Sequence, residues 1–181
     1  MSPESIAYEK HKNLKFAANE LGVKWQTLYC RLKNQGVSVC GDKLRYGTDR
    51  DKLGIFGEYL FKKFVPNAKD LNASTFQSKC DYEIFGLQVD VKTSKPRQLN
   101  KRYESKSWSF SFKKQSLIAD FIVCFCLDDK KDLIRTLLVP KEFFIGLQTV
   151  SVSCNGASKW IDYAVDPKDL NSFFKEYANK G

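Results

Sequence analysis

The stretch Lys79-Cys-Asp-Tyr-Glu-Ile-Phe-Gly-Leu-Gln-Val-Asp-Val-Lys-Thr93 decides the fold. Between Asp81 and Lys92, apolar and polar residues alternate around a single glycine, and this pattern predicts a half-buried β-hairpin. With the turn centred on Phe85-Gly86, Asp81 lies opposite Asp90. Lys92 follows two residues later and therefore projects from the same face as Asp90.

The two opposed carboxylates indicate a candidate cation-binding role for this hairpin. Their Cβ atoms would lie about 5 Å apart, and like charges at that distance repel. A cation between them would remove the repulsion, and Mg²⁺ binds through one or two carboxylates plus waters and substrate phosphates. Lys92 would then orient an attacking water and help to deprotonate it. The alternative interpretation is an ordinary solvated hairpin face, where charged residues are common.

Composition narrows the classes of protein to consider. The 181 residues fit one domain, or one domain with a small appendage. No apolar run reaches the ~18 residues of a membrane span, and the first residues lack a signal-peptide layout, so we expect a cytoplasmic protein. The single histidine, His11, argues against most zinc hydrolases. No two of the six cysteines have Cys-x2-Cys spacing, which indicates buried thiols such as Cys124 and Cys126.

Positive charge is concentrated next to the hairpin. The net charge is +9, and the segment from Lys92 to Gln115 carries eight lysines or arginines against one acid, Glu104. Basic residues interleaved with aromatic ones favour contact with a nucleic acid. The predicted phosphate contacts in this loop are Lys95, Arg97, Lys101, Arg102 and Lys106.

The N-terminal part predicts a separate DNA-binding module, residues 1–46, ahead of a domain at 47–181. Leu14 to Leu21 has helical periodicity, Gly22 breaks it, and a second helix is predicted from Trp25 to Gln35. This segment resembles the helix-turn-helix of Fis-type bacterial proteins, whose second helix enters the major groove. The alternative is an αα-hairpin that serves only packing. The residues expected to reach DNA are Lys24, Trp25, Gln26, Thr27, Tyr29, Arg31 and Lys33.

The remaining elements surround the hairpin in a fixed order. Thr48 or Asp49 caps a predicted helix that ends before Pro66 and carries Glu58, with Gly54 and Gly57 allowing close approach of a neighbour. The all-apolar run Phe121–Leu127 predicts a central buried strand. Other strands and helices are predicted, in chain order, at Trp108–Phe112, Lys114–Ala119, Leu133–Val139, Lys141–Ile145, Val150–Cys154 and Asp166–Tyr177.

This order of elements is similar to the core of the PD-(D/E)xK nucleases. The acid of the family's first helix falls on Glu58, its metal-binding Asp on Asp81, and its (D/E)-x-K motif on Asp90 and Lys92. Cys80 stands where the family name has a proline. The resemblance covers roughly residues 49–139 and implies an α/β (α+β), restriction-endonuclease-like core: a central mixed sheet flanked by helices, with the small helix-turn-helix at its N-terminus.

The resemblance implies a Mg²⁺-dependent endonuclease that hydrolyses phosphodiester bonds of double-stranded DNA, with Glu58, Asp81 and Asp90 holding the metal. Mn²⁺ is expected to substitute for Mg²⁺. The helix-turn-helix favours a sequence-specific, homing or restriction-like enzyme of a phage or cyanobacterium, acting in a bacterial cell or a phage-infected host, as a homodimer or higher homo-oligomer. A Holliday-junction resolvase or other structure-selective nuclease is the alternative. A non-catalytic DNA-binding protein on a nuclease-like scaffold is an alternative of another class.

Overall fold

The computed structural model describes residues 1–39, 48–72, 80–98, 105–112 and 118–179. By their contacts the residues divide into two compact units, Met1–Lys52 with Leu71–Ser78, and Leu53–Asp70 with Lys79–Gly181. The prediction that two domains meet near residue 47 stays a prediction. None of the described helices is both long enough and apolar enough to cross a membrane.

Within its described residues the first unit has three short helices, α1 (Pro3–His11), α2 (Leu14–Glu20) and α3 (Trp25–Asn34). Helix α1 was not predicted, although Ser2 caps it and a proline stands at its first turn. Helices α2 and α3 match the predicted pair, and Gly22 between them has the positive φ of 65° that this turn requires. Their shared core consists of Ala7, Tyr8, Ala17, Ala18, Leu28, Leu32 and Val39.

Helix α4 (Asp49–Phe64) ends two residues before Pro66, as predicted. The amide of Asp51 donates to Oγ1 of Thr48 (3.3 Å) and the amide of Thr48 donates to Oδ2 of Asp51 (2.8 Å), a reciprocal cap of the first turn. The apolar side of the helix contributes Leu60 and Phe61 to the core of the second unit.

The second unit is α+β, with a central mixed sheet flanked by helices. Among the described residues the sheet has six strands in the order β1-β2-β3-β6-β7-β9, in which only the β3–β6 pair is parallel. The strands are β1 (Lys69–Asp70), β2 (Tyr82–Ile84), β3 (Leu87–Ser94), β6 (Phe121–Leu127), β7 (Leu133–Pro140) and β9 (Ala164–Val165). Strand β6 is buried along its whole length, as its apolar sequence predicted.

A second, three-stranded antiparallel sheet contains β4 (Arg97–Gln98), β5 (Lys106–Ser111) and β8 (Thr149–Ser153). The sequence predicted a strand at Trp108–Phe112 without assigning it to a sheet, and β5 is that strand. Its alternating residues bury Trp108 and Phe110, and the indole N–H of Trp108 donates to the carbonyl of Leu127 at 2.7 Å. The pattern therefore predicted the strand correctly, and the structure adds that the strand pairs with β8.

The chain ends with α5 (Lys141–Phe144), two 3-10 segments (Lys159–Tyr163 and Pro167–Asp169) and α6 (Leu170–Ala178). Helix α6 packs Leu170 and Phe174 into the same core as α4. Most of the predicted helical turn Lys114–Ala119, and of the predicted connector before α4, lies outside the described residues.

Candidate active site

The hairpin has the predicted register. Tyr82 pairs with Val89 and Ile84 with Leu87, which places Asp81 next to Asp90 at the open end of the hairpin. Phe85 and Gly86 form the turn with φ values of 50° and 83°, the left-handed pair that a tight two-residue hairpin requires. The alternation in the sequence therefore led to the correct pairing of the two acids.

Asp81 lies directly before the first residue of strand β2. Its Oδ2 accepts the backbone N–H of Val91 at 2.8 Å, so a side-chain oxygen takes the position of the next strand carbonyl. This hydrogen bond fixes the carboxylate of Asp81 beside the residue that follows Asp90. No local pattern indicated this contact, because it depends on β2 beginning at Tyr82.

The two faces of β3 have different surroundings. Val89 and Val91 belong to the apolar core that α4 and α6 cover. Asp90 and Lys92 project from the opposite face, where their strand partners on β6 are Ile122 and Cys124.

Asp90 is completely buried, with 0% of its surface exposed. The Nζ atom of Lys92 lies 2.5 Å from Oδ2 of Asp90, while Oδ1 has no hydrogen-bond partner among the described residues. Burial raises the pKa of Asp90 to about 7; the ammonium of Lys92 lowers it, and the carboxylate of Asp81 raises it. An uncompensated buried oxygen is costly, and such atoms are a common mark of a missing ligand.

Lys92 remains protonated in this environment. Its burial favours the neutral amine, but the carboxylate of Asp90, helped by Asp81, outweighs burial and raises the pKa of Lys92 above its usual value. At neutral pH the side chain is therefore a cation and a hydrogen-bond donor.

Two further residues belong to this environment. Burial, together with the charges of Asp90, Asp81 and Asp120, raises the pKa of the Cys80 thiol to about 11, so Cys80 stays a thiol. Asp120, which the sequence analysis missed, accepts the N–H of Gln88 on its Oδ2 at 2.8 Å and donates its own N–H to the carbonyl of Gln88, also at 2.8 Å. It thereby fixes the start of β6 against the start of β3.

Glu58 lies on the helix that covers the other face of the sheet. The hydroxyl of Tyr82 donates to the backbone carbonyl of Glu58 at 3.2 Å, and the charge of Glu58 adds to burial in raising the pKa of Tyr82. Among the described residues no group of three His, Cys, Asp or Glu side chains is placed to hold a metal ion. The structure thus brings Asp81, Asp90 and Lys92 together and does not group Glu58 with them.

The donor set nevertheless fits a hard divalent cation. Asp90 offers an oxygen that has no partner, and Asp81 has one oxygen used by the amide of Val91. Mg²⁺ is commonly held by one or two carboxylates with water and phosphate completing its shell, so two acids suffice.

The predicted basic contacts fall into three groups. Lys95 and Lys106 both lie against Asp129 in the turn between β6 and β7, and Arg97 is exposed on β4. Lys101 and Arg102 lie outside the described residues.

In the N-terminal unit, the predicted DNA contacts lie along α3. Lys24, Gln26, Thr27 and Lys33 are exposed, and Trp25 is 38% exposed. Tyr29 is partly buried against the core, and Arg31 pairs with Glu4 at 3.2 Å. An open groove of about 340 Å³ beside the start of α3 is lined by Lys15, Ala18, Asn19, Val23, Lys24, Trp25 and Gln26.

No family model matches the sequence, and no curated protein matches it. Among solved structures the chain is similar to a bacterial homing endonuclease, I-Ssp6803I, with 13% identity over 71% of this chain and 93% of that chain, at a TM-score of 0.46. At that level of similarity the function has to be argued from the side chains of the site.

Proposed function

We propose that this protein is a metal-dependent DNA endonuclease whose site is formed by Asp81, Asp90 and Lys92. The observation that carries the proposal is the buried carboxylate of Asp90, with one oxygen paired to Lys92 and the other without a hydrogen-bond partner. Three ionisable groups converge on one face of a hairpin, where apolar residues would give a more stable sheet. Such an arrangement is typical of a reaction site rather than of a scaffold.

Asp81 and Asp90 would hold Mg²⁺, and Glu58 would contribute through water. Bound there, the metal supplies a Lewis acid for the scissile phosphate and for a water molecule. Lys92 is protonated, so its ammonium orients the attacking water and stabilises the negative charge that develops on phosphorus oxygens. Asp81, fixed by the amide of Val91, keeps the two carboxylates in register.

DNA is the substrate class that best fits the charge. The chain carries a net charge of +9, and basic side chains follow the site after the end of β3, at Lys95 and Arg97, and at Lys106 at the start of β5. Helix α3 exposes Lys24 and Gln26, residue types that reach phosphates and base edges, so we include sequence specificity of a homing or restriction type in the proposal.

The test is cleavage of supercoiled plasmid with and without Mg²⁺. The wild type should cut only with the metal, to discrete products if cleavage is sequence-specific, whereas Asp90→Asn and Lys92→Ala should not cut. Asp162→Asn, which removes an exposed acid elsewhere, is the matched control and should cut normally. Full cleavage by Asp90→Asn and Lys92→Ala would refute the site. Cleavage of four-way junctions but not of plasmid would indicate a resolvase.

A further inference from the structure

The turn between β6 and β7, residues 128–132, is held in one conformation by its own hydrogen bonds. The N–H of Asp128 donates to the carbonyl of Asp132 at 2.9 Å, and the N–H of Asp132 donates to Oδ1 of Asp128 at 2.8 Å. Lys131 has a left-handed φ of 74°, which a non-glycine residue adopts only when its surroundings enforce it. Asp129 is therefore presented at a fixed place.

Two lysines from different segments converge on Asp129. Lys95, just after β3, donates from Nζ to the backbone carbonyl of Asp129 at 2.6 Å. Lys106, the first residue of β5, has its Nζ 3.5 Å from Oδ2 of the same residue. The side chains of Lys106 and Asp129 are 54% and 72% exposed, so solvent and ions reach this pair freely.

The same turn is fixed from its other side. The Nζ atom of Lys131 lies 5.9 Å from the ring centroid of Phe56 on α4, and Phe56 stacks on Tyr59. The turn thus contacts helix α4, which carries Glu58, on one side and the basic residues Lys95 and Lys106 on the other. Because it is anchored at both ends, a ligand that reaches Lys106 would replace the side chain of Asp129 and leave the turn in place.

We propose that Lys95, Lys106 and the turn form a binding surface for the DNA backbone, and that the carboxylate of Asp129 occupies the position of a phosphate until DNA replaces it. The inference rests on the proposed function. Lys95 lies three residues beyond Lys92, roughly 10 Å along an extended chain, so a strand of DNA in the active site would pass over this surface. Exposed ion pairs are weak, which makes the exchange easy.

Because a DNA phosphate must first replace the carboxylate of Asp129, the affinity of the wild-type protein for DNA of any sequence is lowered. Wild-type protein must break the Lys106–Asp129 pair before Lys106 reaches a phosphate, and Asp129 stays nearby as a like charge to the backbone. Removing the charge of Asp129 should therefore tighten non-specific binding. It should also steepen the salt dependence by about one unit, because one more lysine then exchanges salt ions for phosphate.

The experiment measures binding of a fluorescent duplex of arbitrary sequence by anisotropy, in Ca²⁺, at several salt concentrations. Asp129→Asn should bind about 3–10-fold more tightly than wild type, a range expected for one extra phosphate contact at low salt. Asp162→Asn makes the same change in net charge elsewhere and should gain clearly less. In the Lys106→Ala background, Asp129→Asn should lose most of its effect.

An Asp129→Asn gain equal to that of Asp162→Asn would overturn the inference, and so would a gain that persists undiminished without Lys106. Failure of this inference can be distinguished from failure of the proposed function. If wild type cuts plasmid with Mg²⁺ and Asp129→Asn binds like wild type, only this surface is refuted. If wild type binds no DNA in Ca²⁺, both the surface and the endonuclease are refuted.

Discussion

A methyl group on Gly57 would lie 1.6 Å from Oγ1 of Thr93. Helix α4 therefore approaches strand β3 so closely that only glycine fits at position 57. Gly57 directly precedes Glu58 on the helix, and Thr93 directly follows Lys92 on the strand. Oγ1 of Thr93 is itself buried and has no hydrogen-bond partner among the described residues. This contact fixes how far the helix lies from the strand that carries the candidate site.

Gly57→Ala should destabilise the protein by roughly 1–3 kcal/mol, because overpacking forces the helix or the strand to shift. Gly54→Ala is the matched control, since a Cβ there meets nothing within 4 Å. That variant should be neutral or gain up to about 1 kcal/mol from helix propensity. Urea denaturation measures both, and Thr93→Ala combined with Gly57→Ala should recover part of the loss. Equal effects of the two glycine changes would contradict this packing.

The stability should depend on pH through Asp90. Its folded-state pKa of about 7 lies above the ordinary value of 3.8, so the folded chain binds the proton more tightly than the unfolded chain. The stabilisation that protonated Asp90 gives to the folded state is fully present below about pH 4 and is lost as the pH rises towards 7. Asp90→Asn should therefore gain stability relative to wild type between pH 5 and pH 8, by roughly 1–3 kcal/mol.

Chemical denaturation at the two pH values measures that gain, and Mg²⁺ should stabilise wild type at pH 8 but not Asp90→Asn. Asp162→Asn serves as the control, because it keeps Asp90 and should show the same pH dependence of stability as wild type. A stability difference between Asp90→Asn and wild type that is the same at pH 5 and pH 8 would show that Asp90 carries its charge at both.

The exposed basic residues should act through phosphate. Replacing Lys95, Arg97 and Lys106 together with alanine should weaken binding about equally on all DNA sequences. The slope of log affinity against log salt should flatten by about 2–3 units, close to one for each lost contact. A change in sequence preference with an unchanged slope would instead show that these side chains read bases.

Helix α3 should supply preference for particular bases. Lys24→Ala with Gln26→Ala should flatten the sequence preference obtained by selection from randomised DNA, since each good base contact contributes about 1–3 kcal/mol of discrimination. Cleavage chemistry should be unaffected. Lys168→Ala, in the second unit, is the control. If the preference is unchanged, specificity lies in the second unit and α3 serves only packing.

Glu58 offers a separate test of the predicted ligand set. If it acts through water, Glu58→Gln should raise the Mg²⁺ concentration needed for half-maximal cleavage while leaving measurable activity, whereas Asp90→Asn should leave none. Equal loss in the two variants would place Glu58 directly on the metal, and no loss would remove it from the site.

The sequence alone determined the local features. Alternation of side chains fixed the hairpin register and therefore the Asp81–Asp90 pair, because a strand has a period of two and a shift by one residue would turn the charged side chains of Asp90 and Lys92 into the apolar core that holds Val89 and Val91. The uninterrupted apolar run identified β6 as the central strand, and Gly22 marked the end of α2. These depend on residues close together in the chain.

Only the tertiary structure decided which distant segments of the chain contact one another. Strand β5 alternates like a core strand, yet it pairs with β8 in another sheet, because alternation specifies a buried face and not the neighbour that buries it. Likewise the contact of Gly57 with Thr93, the hydrogen bonds of Asp120 with Gln88 and the convergence of Lys95 and Lys106 on Asp129 join residues 23 to 36 positions apart. No local period encodes such distances; packing of the sheet against α4 and the turn sets them.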